Sequence, residues 1–350
     1  MEVKIALIGC GTVGRGLLEI LDSKREHLKA AFDFEPKIVA ISDLLKGSIL
    51  VPDGIDIKKL FDLLDGGGRI DQYYGEGNTA ELLNPLDMIE QCEADIIAEL
   101  TYTDIKTGEP ATTYIRKALR SGMHVVTSNK GPAALHYHEL HQLARKNDLF
   151  FRIEGTVMSG TPVFSLFESG LAGNEIREIK GILNGTTNFI LTKMEQDNMD
   201  YAEALKLAQK LGYAEADPTA DVEGYDAVAK VVILSNVLLT GKISPDDVKR
   251  QGISSITRED VLAARERGFR YKLIAQTKRL GAKIEAGVSP QQLPLTDPLA
   301  GIMGAQNALT FDLDLMGKVT IQGAGAGKTE TGYSILSDML SVHRNRGVRS

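Results

Sequence analysis

The sequence predicts an α/β protein of two domains: a doubly wound parallel sheet at the N-terminus, then an α+β domain of mixed sheet and helices. Three observations carry that prediction. Short β-branched runs alternate with helical patterns over residues 3–127, and a glycine-rich turn joins the first run to the first helix. The chain's 350 residues are also enough for two cores of ordinary size.

The first element, Val3-Lys4-Ile5-Ala6-Leu7-Ile8, is apolar, rich in β-branched residues and stopped by a glycine, the pattern of a buried parallel strand. Gly9-Cys10-Gly11-Thr12-Val13-Gly14 follows at once, and the helical spacing of Val13, Leu17, Leu18 and Leu21 begins inside it. In this G-x-G-x-x-G spacing Gly9 permits a tight turn, Gly11 lets the backbone approach a pyrophosphate, and Gly14 lets the helix pack on the strand. Thr12 and Val13 then open a helix whose unpaired N–H groups and dipole favour phosphate. The context is that of a Rossmann-type dinucleotide fold. A second strand, Ile38 to Ser42, ends at Asp43, an acid suited to the adenosine ribose 2′-OH and hence to NAD. Lys46 lies close behind and suits a 2′-phosphate, so NAD and NADP both stay open.

From there to Ala94 the pattern is poorer, with Gly66-Gly67-Gly68 inside it, and reads as a surface insertion. Ala94 to Leu100 is a further buried strand, with Thr101 at the C-terminal end where parallel sheets bind ligands. Thr107-Gly108-Glu109-Pro110 starts a helix carrying Tyr114, Ile115, Ala118 and Leu119; Gly122 closes it, and His124 to Thr127 is the next strand. The expected domains are residues 1–150, completed by 318–350, for the dinucleotide, and 151–317 for substrate.

Bulk properties narrow the partners. A net charge of -7 argues against nucleic acid or an anionic membrane, and no apolar run approaches the length of a bilayer span. Cys10 and Cys92 alone cannot make a disulfide framework, which fits a reducing compartment. With no leader pattern at the N-terminus, the expectation is a soluble cytoplasmic protein acting on a small molecule.

Chemistry enters at Thr127-Ser128-Asn129-Lys130-Gly131-Pro132, where Lys130 follows a strand end. Taken alone, it is as readily a solvated loop lysine as a functional one. Four segments follow: Glu154 to Pro162, Gly181 to Leu191, Leu211 to Lys230, and Gly323-Ala324-Gly325-Ala326-Gly327 with Thr331 and Asp338 behind it. In the third, Asp226 and Lys230 stand at i and i+4 on one face of a helix from about Gly224 to Leu239. An ordinary surface ion pair is the plain reading, but Ala227, Val228, Ala229, Val231, Val232, Ile233 and Leu234 make this helix apolar almost all round, so it is buried and its charges are paired.

Together with the glycine loop and the Lys130 segment, these four closely resemble homoserine dehydrogenases over residues 3 to 338. The resemblance implies NAD(P)-dependent interconversion of aspartate 4-semialdehyde and homoserine, in the biosynthesis of threonine and methionine. It assigns Gly185, Thr186, Glu215 and Asp226 to substrate and makes Lys230 the proton donor. Homoserine is a zwitterion; Glu215 suits its ammonium, with Asp221 and Asp226 as further acceptors. Lys130 is a second cation, and which lysine transfers the proton stays open. Gly212 and Gly327 are further dinucleotide contacts. Glu154, Val157, Ser159 and Thr161 match a monovalent-cation site of backbone carbonyls, suited to sodium, although Met158 stands where the family usually has glycine. The resemblance also implies a homodimer formed through the second domain, and an active site in an interdomain cleft. The final helix is expected to lay Tyr333, Ile335, Leu336 and Met339 against the first sheet.

Other signals fall away. Ala326-Gly327-Lys328-Thr329 lacks the earlier glycine of a phosphate loop, since Gln322 stands there, and His138 and His141 miss the zinc-helix spacing because Gln142 occupies the fifth position. Neither cysteine has the setting of a nucleophile, which excludes an acylating semialdehyde dehydrogenase. Two alternatives remain: an oxidoreductase for another small amino-acid aldehyde or alcohol, and a non-catalytic dinucleotide sensor.

Overall fold

The computed structural model describes residues 1–74 and 83–345. The chain divides into two units, Met1–Thr156 with Gly327–Ser350, and Val157–Ala326.

The first unit opens with β1 (Glu2–Ile8), α1 (Thr12–Ser23), α2 (Arg25–Phe32), β2 (Glu35–Asp43), β3 (Gly47–Leu50) and α3 (Ile57–Asp65). It continues through α4 (Pro85–Gln91), β4 (Ile96–Glu99), α5 (Ala111–Arg120), β5 (His124–Thr127), α6 (Lys130–Leu135), α7 (Tyr137–Lys146) and β6 (Phe151–Arg152). The strand order is β3-β2-β1-β4-β5-β6. All neighbours pair in parallel except β3, which runs antiparallel to β2 at the edge. Val3, Ile5, Ala6, Leu7 and Ile8 are all buried, as a strand covered on both faces requires. Strand order reverses between β1 and β4, so their C-terminal ends frame the crevice where such sheets take ligands.

The stretch after Asp43 is not a surface insertion. Ile49, Val51, Ile55, Ile57, Leu60, Ile70 and Tyr73 join the same core as β1 and α1. The apolar residues there are spread over one short strand, one helix and the turns between, too short for either period to register; residues 75–82 of the stretch lie outside the described residues.

The second unit contains α8 (Phe164–Ser169), β7 (Ile176–Ile182), α9 (Gly185–Gln196), α10 (Tyr201–Lys210), α11 (Thr219–Val222) and α12 (Tyr225–Leu238). After these come β8 (Lys249–Arg250), α13 (Arg258–Glu266), β9 (Phe269–Leu280), β10 (Lys283–Pro294), β11 (Gln306–Leu313) and β12 (Gly317–Ala324). Its sheet has the order β12-β11-β7-β9-β10-β8, antiparallel except where β8 meets β10. Ser235 on α12 donates to Thr277 on β9 at 2.7 Å, tying that helix to the sheet.

The chain then returns to the first unit as α14 (Lys328–Asn345). The return comes at Gly327 and not at 318, because β12 is hydrogen-bonded to β11 along its whole length and stays with the second unit. Ile335, Leu336 and Met339 enter the first core, but Tyr333 is 50% exposed, since it falls outside the stripe set by 332, 335, 336 and 339. Two glycines make the crossing of α14 over α1 close. A Cβ at Gly16 would lie 2.3 Å from the Lys328 carbonyl oxygen, and one at Gly332 would lie 2.7 Å from the Leu17 nitrogen. In an open helix Gly→Ala gains about 1 kcal/mol. Here backbone stands in the way, so we expect Gly16→Ala to lose about 1–3 kcal/mol instead. The urea midpoint of the purified variant checks this, and a gain in stability would show that the crossing is not close-packed.

Candidate active site

On the first unit the glycine loop has the geometry a pyrophosphate needs. Gly9 sits at φ 100, where a Cβ would lie 2.4 Å from the Leu100 carbonyl oxygen. A Cβ at Gly14 would lie 2.5 Å from the Gly9 oxygen, whereas one at Gly11 would meet no described atom within 4 Å. The loop is thus packed at both ends and open in the middle, on the side where phosphates approach α1. Asp43 braces it: one carboxylate oxygen accepts from Cys10 N at 2.8 Å, and the other from Leu45 N and Lys46 N at 3.0 and 3.1 Å. The Lys46 ammonium folds back onto the Cys10 carbonyl. Burial pushes the Cys10 thiol up to about 11, so it stays protonated and unreactive. Thr101 follows β4, and Asn129 caps α6 by accepting from Gly131 N at 3.1 Å, which places Lys130 at the head of that helix.

The second unit gathers a polar cluster around the start of α9. Asn184 is the N-cap: its side-chain oxygen accepts from Thr187 N at 2.9 Å. Its amide nitrogen donates to Asp221 at 2.7 Å and to Asp226 at 3.2 Å, so one side chain spans two carboxylates. Lys230 Nζ lies 2.8 Å from Asp226 and donates to the Leu183 carbonyl at 2.6 Å; the two charged side chains are only 8% and 16% exposed. Burial and then the Asp226 charge push the Asp221 carboxyl above its usual range, against the opposing hydrogen bonds of Asn184 and Thr186. Thr186 Oγ1 lies 2.6 Å from the Tyr213 carbonyl and 3.1 Å from Asp221. Gly185 leaves no room for a side chain, since a Cβ would stand 2.7 Å from the Ala305 oxygen. A buried ammonium, two carboxylates and a helix N-terminus together can bind a zwitterion and move a proton.

The comparisons with known proteins agree over the whole chain. The family described as "Homoserine dehydrogenase, NAD binding domain" matches residues 9–154, and that described as "Homoserine dehydrogenase" matches residues 162–340. The chain belongs to the homoserine dehydrogenase family. An NAD(+)-dependent homoserine dehydrogenase of Pseudomonas canavaninivorans is 47% identical over 98% of this chain and 97% of its own. A homoserine dehydrogenase of Methanocaldococcus jannaschii is 41% identical over 97% and 98%. Among solved structures, a hyperthermophilic archaeal homoserine dehydrogenase in complex with NADPH superposes with a TM-score of 0.82 at 30% identity, covering 99% of this chain and 98% of that one. One from Thiobacillus denitrificans gives 0.84 at 33%, covering all of this chain and 75% of its own. The activity is therefore that of a homoserine dehydrogenase, an NAD(P)-dependent oxidoreductase acting on a CH–OH group.

Within this homoserine dehydrogenase framework the residues expected from sequence fall into groups. Asp221, Asp226, Lys230, Gly185 and Thr186 come together on the second unit; Gly9, Gly11, Thr12, Val13, Gly14, Asp43, Thr101 and Lys130 line the strand ends of the first. Gly327, at φ 151, opens α14 in the first unit. Glu215 and Gly212 lie exposed between α10 and α11, and no hydrogen bond or ion pair joins the Glu215 carboxylate to the cluster. Val157, Ser159 and Thr161 form a turn closed by Thr161 N donating to the Met158 oxygen at 2.9 Å and bent by Ser159 at φ 51, while Glu154 belongs to the first unit.

Sequence reasoning missed Asn184, whose signal was an N-cap residue directly before a helix of glycine and threonines. It also missed Lys272 on β9, which looks like any strand lysine. Lys272 is buried, and its Nζ donates to Asn188 Oδ1 at 2.8 Å and to the Ile302 carbonyl, locking the first turn of α9 to the segment behind Gly185. Burial lowers Lys272 to about 8, helped by Arg270 and opposed by Glu195. Below that value the lysine is charged in both folded and unfolded chains. Between about 8 and its ordinary 10.5 only the unfolded chain keeps the proton, so this group's contribution to stability rises with pH across that window. Measured against Lys272→Met by urea unfolding, the wild type should gain up to about 3 kcal/mol between pH ~7.5 and pH ~10.5. A difference independent of pH would mean that Lys272 does not titrate there.

Proposed function

We propose that Lys230 is the proton donor in the reduction of L-aspartate 4-semialdehyde to L-homoserine, and that Asn184, Asp221 and Asp226 build the pocket for the substrate's charged end. The observation that supports it is the count of hydrogens on Lys230. Its ammonium has three; the Leu183 carbonyl and Asp226 take two and leave the third for the carbonyl oxygen of the aldehyde. When bound, the dinucleotide supplies the hydride to the aldehyde carbon or takes it back from the alcohol. As charge gathers on the substrate oxygen, Lys230 stabilises it and delivers its proton, while Asp226 holds the lysine in place. Asp221, Asp226 and Glu215 provide carboxylates for the substrate ammonium, and the Gly185–Thr186 backbone at the head of α9 suits its carboxylate.

Gly9, Gly11, Thr12, Val13 and Gly14 would hold the pyrophosphate of the dinucleotide, with Thr101, Gly212 and Gly327 as further contacts and Lys130 a second cation on the first unit. Asp43 supports NAD over NADP, because a 2′-phosphate brought to that strand end would meet its carboxylate, and Lys46 is already engaged with the loop. The curvature at Ser159 supports a monovalent cation on the carbonyls of Val157, Ser159 and Thr161. By the family resemblance the reaction serves threonine and methionine biosynthesis, in a cytoplasmic homodimer; among the described residues no helix is long and apolar enough to cross a membrane.

The test is oxidation of NADH and NADPH by the purified protein given aspartate 4-semialdehyde. Wild type should turn over, faster per unit KM with NADH, and Lys230→Ala should lose ~10³-fold or more in kcat. Wild-type binding of dinucleotide without turnover would favour the sensor, and an active Lys230→Ala would move the proton transfer to another group.

A further inference from the structure

Glu99, the last residue of β4, is a carboxyl with no exposure at all, and no lysine, arginine or histidine nitrogen lies within 4.0 Å of it among the described residues. Its partners are backbone and hydroxyl groups, with the Asn129 side-chain amide close by. Oε1 accepts from Thr101 N at 3.0 Å and from the Thr101 hydroxyl. On the other side, Thr127 Oγ1 lies 2.8 Å from the Glu99 main-chain oxygen and 2.9 Å from Oε2, and it accepts from Asn129 N at 2.9 Å. That hydroxyl carries a single proton, and two oxygens compete for it. A proton on Oε2 resolves the contest: Thr127 then donates to the main-chain oxygen and accepts from the Glu99 acid, and every group is satisfied. Asn129 continues the chain by donating to the Tyr102 carbonyl at 3.0 Å and accepting from Gly131 N.

We infer that Glu99 is held as a neutral acid and is the positioning residue of the dinucleotide crevice, joining Thr101 just past β4 to the Asn129–Lys130 turn just past β5. This rests on the first unit being the dinucleotide-binding one. Thr101 and Lys130 stand at the C-terminal ends of the two strands beyond the switch point, where the second half of a dinucleotide lies over such a sheet. Asn129 joins the two ends, donating to the Tyr102 carbonyl at 3.0 Å and to the Thr101 oxygens at 3.4 Å, and Glu99 braces that joint from beneath by holding Thr101 and Thr127. An ionised carboxylate there would be costly to bury and would repel the phosphates. Burial raises Glu99 above its ordinary 4.5, and the opposing hydrogen bonds from Thr101, Thr127 and Asn129 are the smaller influence. Tyr114 of α5 is a titratable side chain close enough to couple to Glu99 when that carboxyl is ionised.

The sign follows from linkage. Above pH 4.5 the unfolded chain releases a proton that the folded chain keeps, so Glu99 costs the wild type stability as pH rises. Gln at this position cannot titrate and presents an N–H where the acid has its O–H. The melting temperature of Glu99→Gln relative to wild type should therefore climb between pH ~5 and pH ~8. In dinucleotide titrations, Glu99→Leu should weaken NADH binding ~10-fold, with Glu99→Gln restoring it to within ~3-fold. A Gln variant that loses stability relative to wild type as pH rises, or that binds NADH as poorly as the Leu variant, overturns the proposal. The Gln comparisons stand if the Leu variant fails to fold. Were wild type not to bind a dinucleotide at all, the reading of the first unit would fail, while the melting comparison would still report the proton on Glu99.

Discussion

Two carboxylates side by side in a half-buried setting repel each other and want water, and the organisation of the second unit follows from how Asp221 and Asp226 are held against that cost. The amide of Asn184 reaches both, and Lys230 brings a compensating charge to Asp226. Asn184 can do this because it is also the cap of α9, which fixes its side chain. Lys230 can do it because α12 is buried on almost every side, leaving its ammonium the Leu183 carbonyl and Asp226 to turn to. The same demand recurs behind α9, where the buried Lys272 ammonium is met by an asparagine and a carbonyl.

The first unit solves a similar problem with fewer charges. Its crevice must hold an anionic group next to a carboxylate, Asp43, and a buried acid, Glu99. Asp43 is saturated by three backbone N–H groups, which spread its charge into the loop it braces. The unit works through main-chain donors and hydroxyls, as a nucleotide site built on strand ends should.

Much of this was legible in the residues. The glycine spacing, the apolar strands and the Asp226–Lys230 interval each carry their own period, and each stands in the structure where that period puts it. What could not be read was set by contacts distant in sequence. Residues 47–73 looked like an insertion because their apolar side chains serve a core assembled from β1, α1 and α14. Tyr333 looked apolar enough to be inside, but the stripe of α14 is narrow where glycines bring α1 close. Asn184 could be read as a cap but not as the group that spans Asp221 and Asp226, and Glu99 and Lys272 depend likewise on Thr127 and Asn188, partners far off in sequence.

The discontinuity of the first unit has a consequence for the life of the chain. Residues 157–326 are one uninterrupted segment and can complete their own core as soon as they are synthesised. The first unit cannot, because Ile335, Leu336 and Met339 belong to its core and are made only after residues 157–326. Until α14 is made, the first unit presents an apolar groove along α1, open to chaperones and proteases. The core that starts first thus closes second, and the unit begun later is complete before it.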